Sequence, residues 1–346
     1  MRIRTLFRQI TLGLMLIALP AVVTAEIYRW VDADGNVHFS DQPPPDNGKK
    51  AETVDVQDAP VPVQQSKPQT ASQPPAKPLE QLIDRHRNIN RALWVSASTG
   101  RLNDVKQLVR AGADIETRDS GRGSNHTPLL QALVRHNQDV AEYLIEQGAD
   151  LSVTDAAGNN VLYAAALSGF DDLVLRLLAK GLDVNIRTKE GKTPLRGAIE
   201  RNHAKAAMHL LRSKADPEIQ DIYGYAPLMF AVMTSRPELV NLLLEAGANP
   251  NTRGDDGKTA LLSAVQKGTI EIVRILLAAG ADANARSNAG TSPLLLAARF
   301  GNVDIVAALL AAGADTAARD NDGETAASIA TQRGHMKLLT RLERRL

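Results

Sequence analysis

Residues 257–289 read GKTALLSAVQKGTIEIVRILLAAGADANARSNA, and residues 290–322 read GTSPLLLAARFGNVDIVAALLAAGADTAARDND. Laid one over the other, the two stretches agree at the opening glycine, the leucine pair and the Gly-Ala-Asp exit. The register extends outward in both directions: glycines stand at 158, 191, 224, 257, 290 and 323, each 33 residues from the next. Six positions in one register define an internal repeat. A second series stands with it and keeps the same step from its second member on, with Gly112-Ala113-Asp114, Gly148-Ala149-Asp150, Gly181-Leu182-Asp183, Lys214-Ala215-Asp216, Gly247-Ala248-Asn249, Gly280-Ala281-Asp282 and Gly313-Ala314-Asp315. A third opens the first helix of each unit: Thr127-Pro128-Leu129, Thr193-Pro194-Leu195, Ala226-Pro227-Leu228, Thr259-Ala260-Leu261 and Ser292-Pro293-Leu294. A hydroxyl at the N-cap accepts from an orphan amide, and a proline next to it has no amide to leave unpaired.

Each unit therefore reads as a tight turn, a short Ala-rich helix, a break near a glycine such as Gly169, Gly268 or Gly301, a second helix and a glycine exit. Ala164-Ala165-Ala166 and Ala297-Ala298 allow close helix approach, while Leu177-Leu178, Leu243-Leu244 and Leu309-Leu310 fill the space between units. Turn, Thr-Pro-Leu, Leu-Leu and Gly-Ala-Asp in a 33-residue period resemble the ankyrin repeat from about residue 88 to 346. The resemblance implies an all-α solenoid of about eight units that binds other proteins, without saying which. The first unit lacks Thr-Pro-Leu and is expected to act as a cap, with a helix from Leu79 to Arg91 laid over it. The last, ending in Leu338-Leu339-Thr340-Arg341-Leu342, is expected to close the other end. The first two exits are 36 residues apart, so a longer finger is expected at 119–125. Unit four has Lys214 in place of the exit glycine and Asn202-His203 in place of the glycine between helices, which marks it as the least stable internal unit.

Composition agrees with this reading. The 346 residues are 44 % apolar but only 3 % aromatic, which suits short Leu/Ala helices and not a β-sandwich. There is no cysteine, which excludes disulfides, thiolate metal sites and a cysteine nucleophile. The formal net charge of +1 leaves no footprint for a nucleic acid. Residues 1–25 carry Arg2, Arg4 and Arg8, an apolar stretch from Ile10 to Leu19 and small residues up to Ala25, the pattern of a cleaved secretory signal. Periplasmic or secreted localisation is the expectation, with membrane contact only if that segment stays uncut.

Residues 26–45 are expected to form a small β-hairpin, since alternating strands flank Asp34-Gly35. Tyr28-Arg29-Trp30-Val31-Asp32, Gly35, Val37-His38-Phe39-Ser40-Asp41 and Pro43-Pro44 resemble the small domain of unknown function that follows the signal peptide in many Gram-negative envelope proteins. That resemblance implies an envelope location and no chemistry. Residues 46–80 are expected to be a Pro-rich disordered linker, and residues 81–346 the repeat domain; nine prolines fall between Asp41 and Glu80.

No catalytic motif is present, and the seven histidines lack metal-ligand spacing; His203 and His209, for example, are six apart. The repeated exit aspartates are read as turn residues that bond nearby amides. The expectation is a non-enzymatic interaction module, without cofactor or metal, monomeric, whose partner is an unidentified protein. Departures between units point to the binding residues. Tyr223 and Tyr225 flank a finger glycine, Met229, Phe230 and Met233 follow on the next helix, and Lys267, Arg299 and Phe300 lie in the units beyond. Aromatic and Met anchors with a polar rim are the composition of a protein-binding hot spot. The alternatives are a structural or tethering protein acting through the hairpin, or an exported effector, the latter by fold analogy alone.

Overall fold

The computed structural model describes residues 27–31, 37–40, 52–54, 77–118 and 123–343, the three strands by their backbone only. The signal segment, most of the Pro-rich stretch and residues 119–122 of the expected longer finger lie outside the described residues. The chain divides into two units, Met1–Ala71 and Ser72–Leu346.

In the first unit β1 (Ile27–Val31) pairs antiparallel with β2 (Val37–Ser40), from Tyr28 opposite Ser40 to Val31 opposite Val37. This is the expected hairpin. A third strand, β3 (Glu52–Val54), pairs antiparallel with the other edge of β1, in the order β2-β1-β3. It lies inside the segment read as linker, so 46–80 is not linker throughout. Glu-Thr-Val is too short to show an alternating pattern among the surrounding polar residues, and an edge strand gains its order from the ladder it joins.

The second unit opens with α1 (Leu79–His86) and α2 (Ile89–Ser98). The single helix expected from Leu79 to Arg91 is broken: Arg87 takes a left-handed φ of 57°, and Asn88 caps α2 by accepting from the amides of Asn90 and Arg91. With α3 (Leu102–Arg110), α2 forms the first helix pair. The second pair is α4 (Pro128–Val134) with α5 (Gln138–Glu146), and the third α6 (Val161–Ser168) with α7 (Asp171–Ala179). Then come α8 (Pro194–Glu200) with α9 (Ala204–Arg212), and α10 (Pro227–Met233) with α11 (Pro237–Glu245). The array continues through α12 (Ala260–Lys267) with α13 (Ile270–Ala278) and α14 (Pro293–Phe300) with α15 (Val303–Ala311). It closes with α16 (Ala326–Gln332) and α17 (Met336–Glu343), giving eight pairs in all.

First helices stack on first helices, from α2 on α4 to α14 on α16, and most second helices stack likewise. The second helices bury an i, i+1, i+4 stripe: Leu173, Val174 and Leu177 in α7, Leu239, Val240 and Leu243 in α11, Ile305, Val306 and Leu309 in α15. The caps follow the sequence. Thr127, Thr193, Thr259 and Ser292 accept the expected amides from Leu130, Arg196, Leu262 and Leu295, and Thr325 with Ser328 forms a capping box. Ala226 offers no such bond.

Loops join neighbouring units by bonds that repeat with the sequence period. In the exits, Glu116, Asn185, Glu218, Asn251 and Asn284 accept from the amides of Asp150, Asp216, Asn249, Asp282 and Asp315 in the next unit, and within the first unit Asn90 of α2 accepts from the Asp114 amide. In the fingers, Arg187 donates to the Gln220 carbonyl, Gln220 to that of Arg253 and Arg286 to that of Arg319. The exit aspartates each accept from the amide two residues on, as in Glu116 to Asp114 and Ala317 to Asp315, which is the local role expected of them.

Lys214 has φ 66° and Asn202 φ 63°, so unit four departs from glycine at both left-handed positions. His136 and Ser235 show that units two and five depart at one. A left-handed backbone costs an ordinary side chain about 1 kcal/mol, and asparagine less. Lys214→Gly is expected to raise stability by up to about 1 kcal/mol, read as a shift of the urea midpoint. Amide exchange in the native chain is expected to be faster in α9 than in α7 or α13; equal protection would show that the strain is relieved elsewhere.

Candidate interaction surface

The residues proposed from sequence separate by burial. Tyr223, at the tip of the fifth finger, is 56 % exposed, and its neighbour Ile222 is exposed to the same extent. Their backbone is fixed from below, because the buried carboxylate of Asp221 accepts from the amides of Tyr223 and Tyr225 and the Ile222 amide donates to the Glu190 carbonyl of the preceding finger. Two large apolar side chains are thus held out on a rigid turn. Tyr225 and Phe230 are partly buried against the core, and Met233 is half-buried.

Met229 is a correction: it is 1 % exposed, in the core of the array, and it cannot contact a partner. It follows Leu228 in the first helix at the place held by Leu262 and Leu295 in later units, both buried, so its methionine fills a leucine site. Phe300 is 55 % exposed but stands in register with Thr234, not with the aromatic of α10, so the two belong to different rows. Lys267 is exposed in that same row, between Thr234 and Phe300. Arg299 is half-buried and spans 3.6 Å to the carboxylate of Asp320 in the next finger.

Arg196, with Tyr163, completes the group around Phe230. Its guanidinium lies 3.0 Å over the Phe230 ring, and only 6 % of the residue is exposed. It bonds Glu200 at 3.1 Å and reaches towards Asp221 at 3.9 Å, while its Nε has no hydrogen-bond partner. Burial pushes the guanidinium below its ordinary value, and Glu200, Asp221 and Tyr163 offset part of that. Beside it Lys192 bonds Glu190 at 2.7 Å; burial opposes its charge, but Glu190, Tyr163 and Glu200 together raise it above its ordinary value. Burial, aided by Glu200, raises the Tyr163 hydroxyl. Tyr163 fits because residue 197 is glycine: a Cβ there would meet its ring at 3.0 Å. Arg196 and Tyr163 occupy the helix position where the other units carry Leu130, Leu262 and Leu295, and that break in the periodic leucine was the signal available in the sequence.

A cleft of about 720 Å³ opens one unit further on, lined by Asn251, Arg253, Asp282, Asn284 and Arg286 among others. Asn251, Asn284 and Arg286 there already bond the next unit. Among the described residues no group of three or more His, Asp or Glu side chains is placed to hold a metal ion, and no helix is long and apolar enough to cross a membrane.

The helix pairs, fingers and exits define a repeat protein whose exposed rows are surfaces for other proteins. The family model for ankyrin repeats matches in overlapping copies from residue 76 to 343, and the chain belongs to that family. A domain of unknown function, DUF4124, matches residues 14–78. The ankyrin repeat domain of Bcl-3, a member of the IkappaB family, superposes with a TM-score of 0.57 at 27 % identity, covering 63 % of this chain and 99 % of that one. Curated relatives include the phosphocholine transferase AnkX of Legionella pneumophila, 35 % identical over 75 residues, 21 % of this chain and 7 % of that protein. Another is the rat nuclear factor NF-kappa-B p105 subunit, 46 % identical over 48 residues, 14 % of this chain and 5 % of that protein. This chain spans less than a tenth of either curated relative, so the likeness is one of repeats and not of whole proteins.

The split between presented and packed residues has a measurable form. Ile222→Ala with Tyr223→Ala is expected to leave stability within about 0.5 kcal/mol, since neither side chain fills the core. Phe230→Ala is expected to cost about 1–3 kcal/mol, because it removes both partly buried area and the face on which a desolvated guanidinium rests. Urea unfolding of the two variants beside the native chain tests both.

Proposed function

We propose that this chain is a non-enzymatic recognition module exported from the cytoplasm, which holds a protein partner against its fourth and fifth repeats. The observation that carries the reading is the exposed pair Ile222 and Tyr223, held rigid by Asp221 and flanked by the partly exposed Tyr225, Phe230 and Met233. Large apolar side chains on a fixed backbone lose little entropy on binding, which is what an anchor residue needs. Lys192, Glu190 and Glu200 supply a polar rim beside them, with the buried Arg196 beneath. Export, to the periplasm or beyond, is supported by the basic and apolar pattern of residues 1–25 and by the DUF4124 match, which begins within that segment and runs to residue 78.

A tethering role for the N-terminal sheet is the second reading. It rests on that match and on the order of β2-β1-β3, which make a unit separate from the repeats.

The test is capture from an envelope extract with the mature chain and with its Ile222→Ala, Tyr223→Ala variant. The native chain is expected to recover a discrete protein that the variant loses. Equal recovery by both would reject this surface and shift the weight to the N-terminal unit.

A further inference from the structure

Three of the finger turns contain a buried aspartate at the same place in the repeat: Asp155, Asp221 and Asp320. Each uses one carboxylate oxygen to accept two amides of its own turn, from Ala157 and Asn159, from Tyr223 and Tyr225, and from Asp322 and Glu324. Each turns the other oxygen towards a basic side chain of the preceding unit. For Asp221 it is Arg196 at 3.9 Å, for Asp320 it is Arg299 at 3.6 Å, and for Asp155 it is His126 at 3.2 Å. A buried carboxylate needs a counter-charge, and the two arginines supply it at any pH a protein meets. His126 supplies it only while protonated.

The surroundings of His126 favour that state. Its Nε2 faces the Asp155 carboxylate, and its Nδ1 lies 2.7 Å from Oε1 of Gln131, whose own Nε2 donates to Ser98 Oγ. Both ring nitrogens thus point at oxygen acceptors, an arrangement that only the imidazolium satisfies. A neutral ring would require the Gln131 amide to turn over and Ser98 to reverse its bond, and it would leave the buried carboxylate without its cation. Among the described residues, the charged groups on this network include Asp155 and Arg118, the latter donating to the Asn125 and Thr154 carbonyls on either side of it. Burial pushes the Asp155 carboxyl up, but the bonds from His126 and Asn159 outweigh it and hold the carboxyl below its ordinary value.

The same junction lacks a bond that its neighbours have. In the exits of units three, five and six, Asn185 accepts within this ladder, as do Asn251 and Asn284, from an amide one unit on; in unit two Ser152 stands at that place and turns its hydroxyl back to Asp150. The second helices meet there through ion pairs, Arg176 of α7 with Glu142 and Glu146 of α5.

We propose that the contact between the second and third repeats is a proton-dependent clamp, with His126 as its titrating member and Asp155, Gln131 and Ser98 as its jaws. The sign follows from linkage. Folding raises the affinity of His126 for its proton, so the added stability is complete below the unfolded value of about 6.5 and is lost as pH rises through the folded value. Basic conditions loosen the joint and acid conditions tighten it, until the carboxylates themselves are protonated.

The measurement is an NMR titration of the imidazole nitrogens in the full-length chain, with His126 assigned from its backbone. His126 is expected to titrate above the ordinary histidine range, with both nitrogens protonated at neutral pH. In Asp155→Asn, which keeps an oxygen for the two turn amides, the titration is expected to fall back towards that range. The thermal midpoint of the native chain is expected to drop between pH 6 and pH 8.5 by more than that of His126→Gln. Titration of the native ring at or below the ordinary value overturns the proposal, and so does a fall in midpoint that His126→Gln shares in full. Because the native chain alone answers the first question, failure of a variant to fold leaves the proposal decided by that titration. The outcome is also independent of whether Ile222 and Tyr223 bind a partner.

Discussion

A pair of helices only two turns long cannot bury its own apolar stripe, and every other feature of the array follows from that constraint. Leu173, Val174 and Leu177 of α7 are fully out of water because α9 of the next unit lies on the same row beside them, in addition to α6 of their own pair. Stability is then shared between units rather than held within one, and the loops must bring consecutive units to the same spacing each time. The bonds that leave one exit or finger and end on the next do this. Their period is the sequence period, because the same side chain reaches for the same backbone group in each copy.

This explains why so much of the array was legible before any coordinates. Glycines at a 33-residue step, hydroxyl caps and Gly-Ala-Asp exits each have a local cause, and a local cause leaves a local mark. The helix break at Arg87 was not legible, since neither Arg87 nor Asn88 interrupts the apolar pattern and only the cap made by Asn88 places the new helix start. Strand β3 was hidden for a different reason: its order comes from β1, more than twenty residues away, and three residues carry no period of their own. The binding residues were legible in part. Tyr223 could be assigned to a tip because the finger glycine fixes it there. Met229 could not be separated from Phe230, because one step along a helix decides between core and surface. Arg196 was not legible as a site residue because a buried arginine is explained by partners spread over two units, Glu200 of its own helix and Asp221 and Phe230 of the next unit, which no local window contains together.

The buried aspartates show how a regular architecture accommodates exceptions. Thr188, Gly254 and Ser287 hold the same place in other fingers without a charge, so the turn itself does not require one. Where aspartate is used, its second oxygen faces a base from the unit before, on a finger in one case and on the first helix in the other two. The pairs come from different positions in the repeat and meet at one point. They are additions to the period, made separately at three junctions.

Ser152 has a consequence for how the array comes apart. In a linear stack the units resemble beads whose joints are tested one at a time, and each joint answers to conditions through the groups it contains. Between the second and third units the stacking of α4 on α6 is supplemented by a histidine, two glutamates and an arginine, with a short serine where asparagine spans other joints. Salt weakens such a joint by screening while it strengthens the apolar ones on either side. The polar part of the contact between the first two repeats and the six that follow is therefore sensitive to the ionic content of the surrounding fluid, while the helix stacking beneath it is not.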